Sequence, residues 1–141
     1  MRPTMKKRTI YLTEFDFERL SALIKGANRK NRDKLHLQEL AEELQQGEVV
    51  SPTEIPKDVI TMNSQVRLKD LDSGEEVIYW LVFPHAADIN HQKISILAPI
   101  GTALIGYRAG DIIEWNVPAG LKRLKVEEIL YQPEAAGDYH L

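Results

Sequence analysis

Two different hydrophobic periods divide the chain. Phe17, Leu20, Leu23 and Ile24 recur every three or four residues, the spacing of one helix face. Upstream, Thr13 is placed to cap free backbone N–H groups, and Asp16 occupies the N3 position where Glu or Gln usually completes a capping box. Leu12 and Phe17 have the spacing of a hydrophobic staple. Gly26 reads as the residue that ends this helix, and the polar run from Ala27 to Asp33 as a connection. Leu37, Leu40, Ala41 and Leu44 form a second stripe, predicting a helix over Lys34 to Gln46 that stops at Gly47. Helices of ~12–13 residues, roughly 18–20 Å long, are marginal alone, so their stripes must bury against each other and against the rest of the chain. An antiparallel hairpin with its loop outward meets that need.

The period changes after Ser51-Pro52-Thr53-Glu54-Ile55-Pro56, where two prolines disfavour a continuous helix. Val66 and Leu68 alternate with Arg67 and Lys69; Asp72-Ser73-Gly74 marks a turn; Val77 to Phe83 is apolar on both faces and predicts an inner strand closed by Pro84. Further strands follow at Ile94 to Leu97, Ile112 to Val117 and Lys122 to Tyr131, with a short helical turn at Thr102 to Ile105. The adjacent Glu127 and Glu128 break the last alternation, as a bulge would. The pattern predicts an α+β chain: a helical hairpin over residues 10–50 and, over residues 52–141, a strand-rich domain built on a curled antiparallel sheet.

Composition narrows the class. With 43% hydrophobic and 28% charged residues, the chain of 141 residues carries the apolar payload of a folded protein. The formal net charge of −3 argues against a protein whose main work is gripping a phosphate backbone, so direct nucleic-acid binding is disfavoured. There is no cysteine, which excludes disulfides and thiolate metal sites and suits a reducing, cytoplasmic home. No apolar run approaches the ~18–20 residues of a membrane span, so no membrane association is expected.

Motifs for catalysis are absent. His85, Asp88 and His91 share one loop, but their spacing matches no strong metal motif, and exposed polar residues are the simpler reading. His36 and Glu39, one helical turn apart, read as a solvated helix face. No nucleophile elbow, phosphate loop or paired carboxylate stands out, so no enzyme, metal or cofactor is expected. Two features point to binding. Lys25, Arg29, Lys30, Arg32 and Lys34 surround the single acid Asp33 at the hairpin tip, ahead of the acidic run Glu39, Glu42, Glu43 and Glu48. Such a split either steers docking or merely keeps the tip soluble. The apolar loop Ala98-Pro99-Ile100-Gly101 is either a docking knob or a strand-ending turn.

Three stretches carry a family resemblance: Val59-Ile60-Thr61-Met62-Asn63-Ser64; Lys93 to Gly106, with its Pro-Ile-Gly and Leu-Ile-Gly steps; and Tyr131-Gln132-Pro133-Glu134-Ala135-Ala136-Gly137-Asp138-Tyr139. From about Ile10 onward the chain closely resembles the Rnk family, regulators of nucleoside diphosphate kinase and relatives of the Gre transcript cleavage factors. The resemblance implies an FKBP-like carboxy-terminal domain and a coiled-coil arm much shorter than that of Gre factors. It also implies docking on the rim of the RNA polymerase secondary channel. That role transfers to Leu97, Ala98, Pro99, Ile100 and Gly101, with Asp111 as a polar contributor. The acidic, magnesium-sharing tip of the Gre arm does not transfer, because Asp33 stands alone among Arg29, Lys30 and Arg32. Polymerase binding, competition with Gre factors and no stimulation of cleavage are therefore expected, with any effect on nucleoside diphosphate kinase indirect. Two alternatives stay open. One is a prolyl isomerase pocket lined by Tyr79, Trp80, Phe83 and Trp115, although Tyr79 and Trp80 would point to opposite sheet faces. The other is a nucleic-acid-binding module using the basic tip.

Overall fold

A computed structural model describes residues 10–30, 35–117 and 120–138 of the chain. Of the amino-terminal signals the Thr13 cap is present, whereas the Asp16 carboxylate pairs with Arg19. The Asp16 N–H donates to Thr13 Oγ1 (3.1 Å) at the start of α1 (Glu14–Lys30), and the Phe17 N–H donates to the Thr13 carbonyl (2.9 Å). Helix α1 does not stop at Gly26. It runs four residues further, into the stretch read as a connection, and is 17 residues long. Gly26 is exposed inside the helix, where glycine costs only about 1 kcal/mol and continued backbone hydrogen bonding offsets it. Helix α2 (Leu35–Gln45) follows and packs on α1.

The base of this hairpin is tied by β1 (Tyr11–Leu12) and β2 (Glu48–Val49), a parallel pair in which Glu48 N–H reaches the Ile10 carbonyl and Val50 N–H the Leu12 carbonyl, each at 2.9 Å. Gly47 makes the closure sterically feasible: a Cβ there would lie 2.9 Å from the Ile10 carbonyl oxygen and 3.2 Å from that of Leu44.

The main sheet consists of β3 (Gln65–Asp70), β4 (Glu76–Val82), β5 (Lys93–Ser95), β6 (Ile112–Val117) and β7 (Gly120–Tyr131), in the order β5-β4-β3-β7-β6. Register shifts where β7 meets β3, between Arg67 and Leu68 and again between Gln65 and Val66, put bulges at Glu127 and near Leu130. The first is the break in alternation seen in the sequence.

The expectation of a curled, antiparallel, FKBP-like sheet is overturned. The sheet is mixed and open, with edge strands β5 and β6 unpaired to each other. The cause is the connection after β4. Pro84 ends that strand, and two 3-10 turns, Pro84–Ala86 and Ile89–His91, carry the chain back so that Lys93 to Ser95 runs parallel to Trp80 to Val82. The arm is not a coiled coil either. Leu20 and Ile24 of α1 and Leu40 and Leu44 of α2 are at most 2% exposed, and they join one core cluster with Val66, Leu68, Leu81, Ile113, Leu124 and Val126 of the sheet. Burying four such side chains contributes roughly 6–12 kcal/mol gross, which is why helices this short persist.

Candidate functional site

The Leu97 to Gly101 segment is not a free loop. Ser95 ends β5, and its side-chain oxygen accepts from Leu97 N–H (3.0 Å) while its carbonyl accepts from Ala98 N–H (3.0 Å). Helix α3 (Pro99–Leu104) begins at once, with Ala98 as N-cap and Pro99 in its first turn, where a missing N–H and a preset φ are no handicap. Gly101 is buried against β5: a Cβ there would fall 2.1 Å from the Ser95 carbonyl oxygen and 3.1 Å from Ile96 Cα. Gly101 therefore shapes the junction. Leu97 and Ile100 are half-buried, rooted in the core cluster with one side outward, and Ala98 is half-exposed between them. Asp111 lies at the foot of β6, a strand that α3 packs against. Its carboxylate accepts from Arg108 N–H (2.9 Å) and its carbonyl from Val126 N–H (2.8 Å), so part of its polarity is spent on holding the turn.

Arg29 and Lys30 fall in the last turn of α1. Their side chains, and the whole of Arg32 and Asp33, lie outside the described residues.

A third cluster escaped the sequence reading, although the strings that form it were quoted there. Asn63 takes a left-handed conformation (φ 65°), which asparagine tolerates better than most residues, and this folds Thr61 to Ser64 into a tight turn. Ser64 Oγ accepts from Thr61 N–H (3.1 Å), and the Thr61 hydroxyl donates to Glu134 Oε1 (2.7 Å), 73 residues away. Glu134 belongs to α4 (Pro133–Ala136), capped by Gln132, whose Nε2 donates to the carbonyls of Pro56 and Val59 at 2.8 and 2.7 Å. Burial raises the Glu134 pKa against the Thr61 hydroxyl's lowering effect, and the Asp16 carboxylate on α1 raises it further. Asp16 is 3% exposed and is likewise raised by burial, opposed by its ion pair with Arg19. The Arg19 guanidinium lies between the rings of Phe15 and Phe83, 4.1 and 4.3 Å from their centroids. Two buried carboxylates, one on α1 and one on α4, thus feel each other's charge. The only signal in the sequence was the distinctiveness of those strings, which names no contact.

The other candidates disperse. His91 Nδ1 bonds Asp88 Oδ2 (2.6 Å) in an exposed turn, whereas His85 stacks on Phe83. Among the described residues no group of three or more His, Cys, Asp or Glu could hold a metal ion. The proposed isomerase aromatics do not share a pocket. Tyr79 packs on the core, Trp80 lies on the opposite face with its ring 5.6 Å from that of Tyr131, and Phe83 is buried under Arg19. The Trp115 side chain lies outside the described residues. No described helix is long and apolar enough to cross a membrane.

The structure thus combines a two-helix arm with a mixed sheet and leaves half-buried apolar side chains at one strand–helix junction. Comparison with known proteins makes the class specific. Residues 55–131 match the family described as transcription elongation factor, GreA/GreB, C-term, and residues 8–50 match the Rnk N-terminus. The chain belongs to the GreA/GreB family, in the branch that carries the Rnk amino terminus. It is 40% identical to the regulator of nucleoside diphosphate kinase of Escherichia coli K12, covering 97% of this chain and all of that one. The transcription elongation factor GreA of Syntrophotalea carbinolica is 38% identical over 74% of this chain and 66% of its own length. Among solved structures, the GreA/GreB factor from Nitrosomonas europaea superposes with a TM-score of 0.76 at 41% identity, over 87% of this chain and all of that one.

Proposed function

We propose that the chain is a non-enzymatic transcription regulator that binds RNA polymerase at the rim of its secondary channel. In this reading it competes there with Gre factors and does not stimulate transcript cleavage. Kinship with proteins named transcription elongation factors supports the assignment. The observation that carries the site is the β5–α3 junction, where a buried glycine lets Leu97, Ala98 and Ile100 stand together on a rigid helix start. Leu97, Ala98, Pro99 and Ile100 form the apolar contact, Gly101 sets its shape, and Asp111 adds a polar anchor. Arg29, Lys30, Arg32 and Asp33 form the arm's end, where one acid among cations is ill suited to share a metal ion. Any effect on nucleoside diphosphate kinase follows from transcription and not from contact with that enzyme.

Ala98→Asp is the informative variant. Aspartate is a better N-cap than alanine, so α3 keeps or gains stability while a charge enters the apolar patch. Retention of the intact chain by core RNA polymerase, loss of retention with Ala98→Asp, and displacement by a Gre factor are expected. Failure of the intact chain to bind overturns the function; undiminished binding by Ala98→Asp moves the contact away from this junction.

A further inference from the structure

A groove of about 740 Å³ opens between the first turn of α1 and the segment that follows β2. Its lining combines the apolar Phe15, Val49, Val50 and Pro52 with the acidic, exposed Glu14 and Glu54. Phe15 is 55% exposed and Val49 47%, an expensive way to leave two large apolar side chains that share one concavity. Phe15 is also held in place. The Arg19 guanidinium covers one face of its ring, and the charge of Arg19 is met by Asp16. Strand β2, whose Val49 lines the groove, is paired with β1 alone among the described residues, so none of their strands lies along its second edge. Among the described residues that line the groove none is a lysine or arginine, and exposed Glu48 adds a further negative charge next to Val49. Glu54 is kept firmly ionised: the Ser51 hydroxyl (2.8 Å) and backbone N–H (3.3 Å) donate to it and lower its pKa.

We propose that this groove receives an extended, basic polypeptide segment of a partner protein, which runs beside β2 and seats an apolar side chain on Phe15 and Val49. The acidic lining selects a cationic ligand and repels phosphate-bearing ones, and the second edge of β2 favours an extended backbone over a helix. The site is separate from the β5–α3 junction and does not rest on polymerase binding.

The probe is a synthetic peptide, Lys-Val-Lys-Leu-Lys-Val, with a Glu-for-Lys counterpart as control, followed by amide NMR shifts of the full chain. The basic peptide is expected to shift Thr13 to Phe15 and Val49 to Glu54, with no response to the acidic one. Affinity should fall about fivefold or more in the Glu14→Gln, Glu54→Gln double variant and in Phe15→Ser, with shifts elsewhere unchanged. Ala98→Asp should bind the peptide as the natural chain does, whatever its effect on polymerase. Absence of binding, equal binding by the variants, or shifts centred on the acidic face of Glu39 and Glu42 would each overturn the proposal.

Discussion

Replacing Gly101 with alanine tests whether the junction is built as described. The added methyl would sit 2.1 Å from the Ser95 carbonyl oxygen and 3.0 Å from its carbon. Both belong to backbone, so neither can swing aside as a flexible side chain could. That same oxygen accepts the Ala98 N–H bond at 3.0 Å, so relief must separate β5 from α3 and loosen this bond. Overpacking costs about 1–3 kcal/mol, and leaving a buried backbone group unpaired adds roughly 1–3 more. A loss of about 2–6 kcal/mol is therefore expected, a large part of the stability of a domain this size. Gly26→Ala is the matched control. Nothing lies within 4 Å of its Cβ position, and the site is a helix interior, so a gain of about 0.5–1 kcal/mol is expected. Urea denaturation with midpoint and slope measured for both variants decides the matter. A Gly101→Ala midpoint equal to that of the natural chain would refute the close approach of β5 and α3, and with it the account of how Leu97, Ala98 and Ile100 are presented.

Two further outcomes follow from the core and the buried acids. Leu40→Ala should cost about 2–5 kcal/mol and leave a single transition, seen alike by far-ultraviolet circular dichroism and tryptophan fluorescence, because arm and sheet share one core; an arm that melts first would contradict this. Glu134 and Asp16 both have carboxyl pKa values raised by burial, so the folded state holds protons that the unfolded chain has released. Their contribution is complete below the unfolded carboxylate values and is lost as pH rises through the raised folded ones, so stability should fall across that interval. Glu134→Gln keeps an acceptor for the Thr61 hydroxyl and removes one of the two charges, and should flatten the decline in stability with pH measured by thermal melts. An unchanged slope would show that Glu134 does not titrate there.

Local signals in the chain were legible where a single element determines them. The Thr13 cap, the stripes of Leu20, Ile24, Leu40 and Leu44, the Asp72-Ser73-Gly74 turn and the bulge at Glu127 all reflect periods or caps written within a few residues. The end of α1 was misread because Gly26 carries a stop signal that is weak by itself. Its cost is small beside the hydrogen bonds gained by continuing to Lys30. The direction of β5 was also hidden. Lys93 to Ser95 pairs equally well with either polarity by pattern alone, and the two short turns after Pro84 decide which way it runs.

What the amino-acid order determined by itself was the alternation of helix and strand, the buried faces, the polarity of the tip and the kinship with GreA/GreB proteins. The tertiary structure alone decided that the sheet is open and mixed, and that Gly101 is a spacer beneath the β5–α3 junction. It alone brought the Thr61 hydroxyl to the Glu134 carboxylate. The physical reason is range. Caps and periods act over one or two turns of chain, whereas a hydroxyl meeting a carboxylate 73 residues away depends on how every intervening strand has packed.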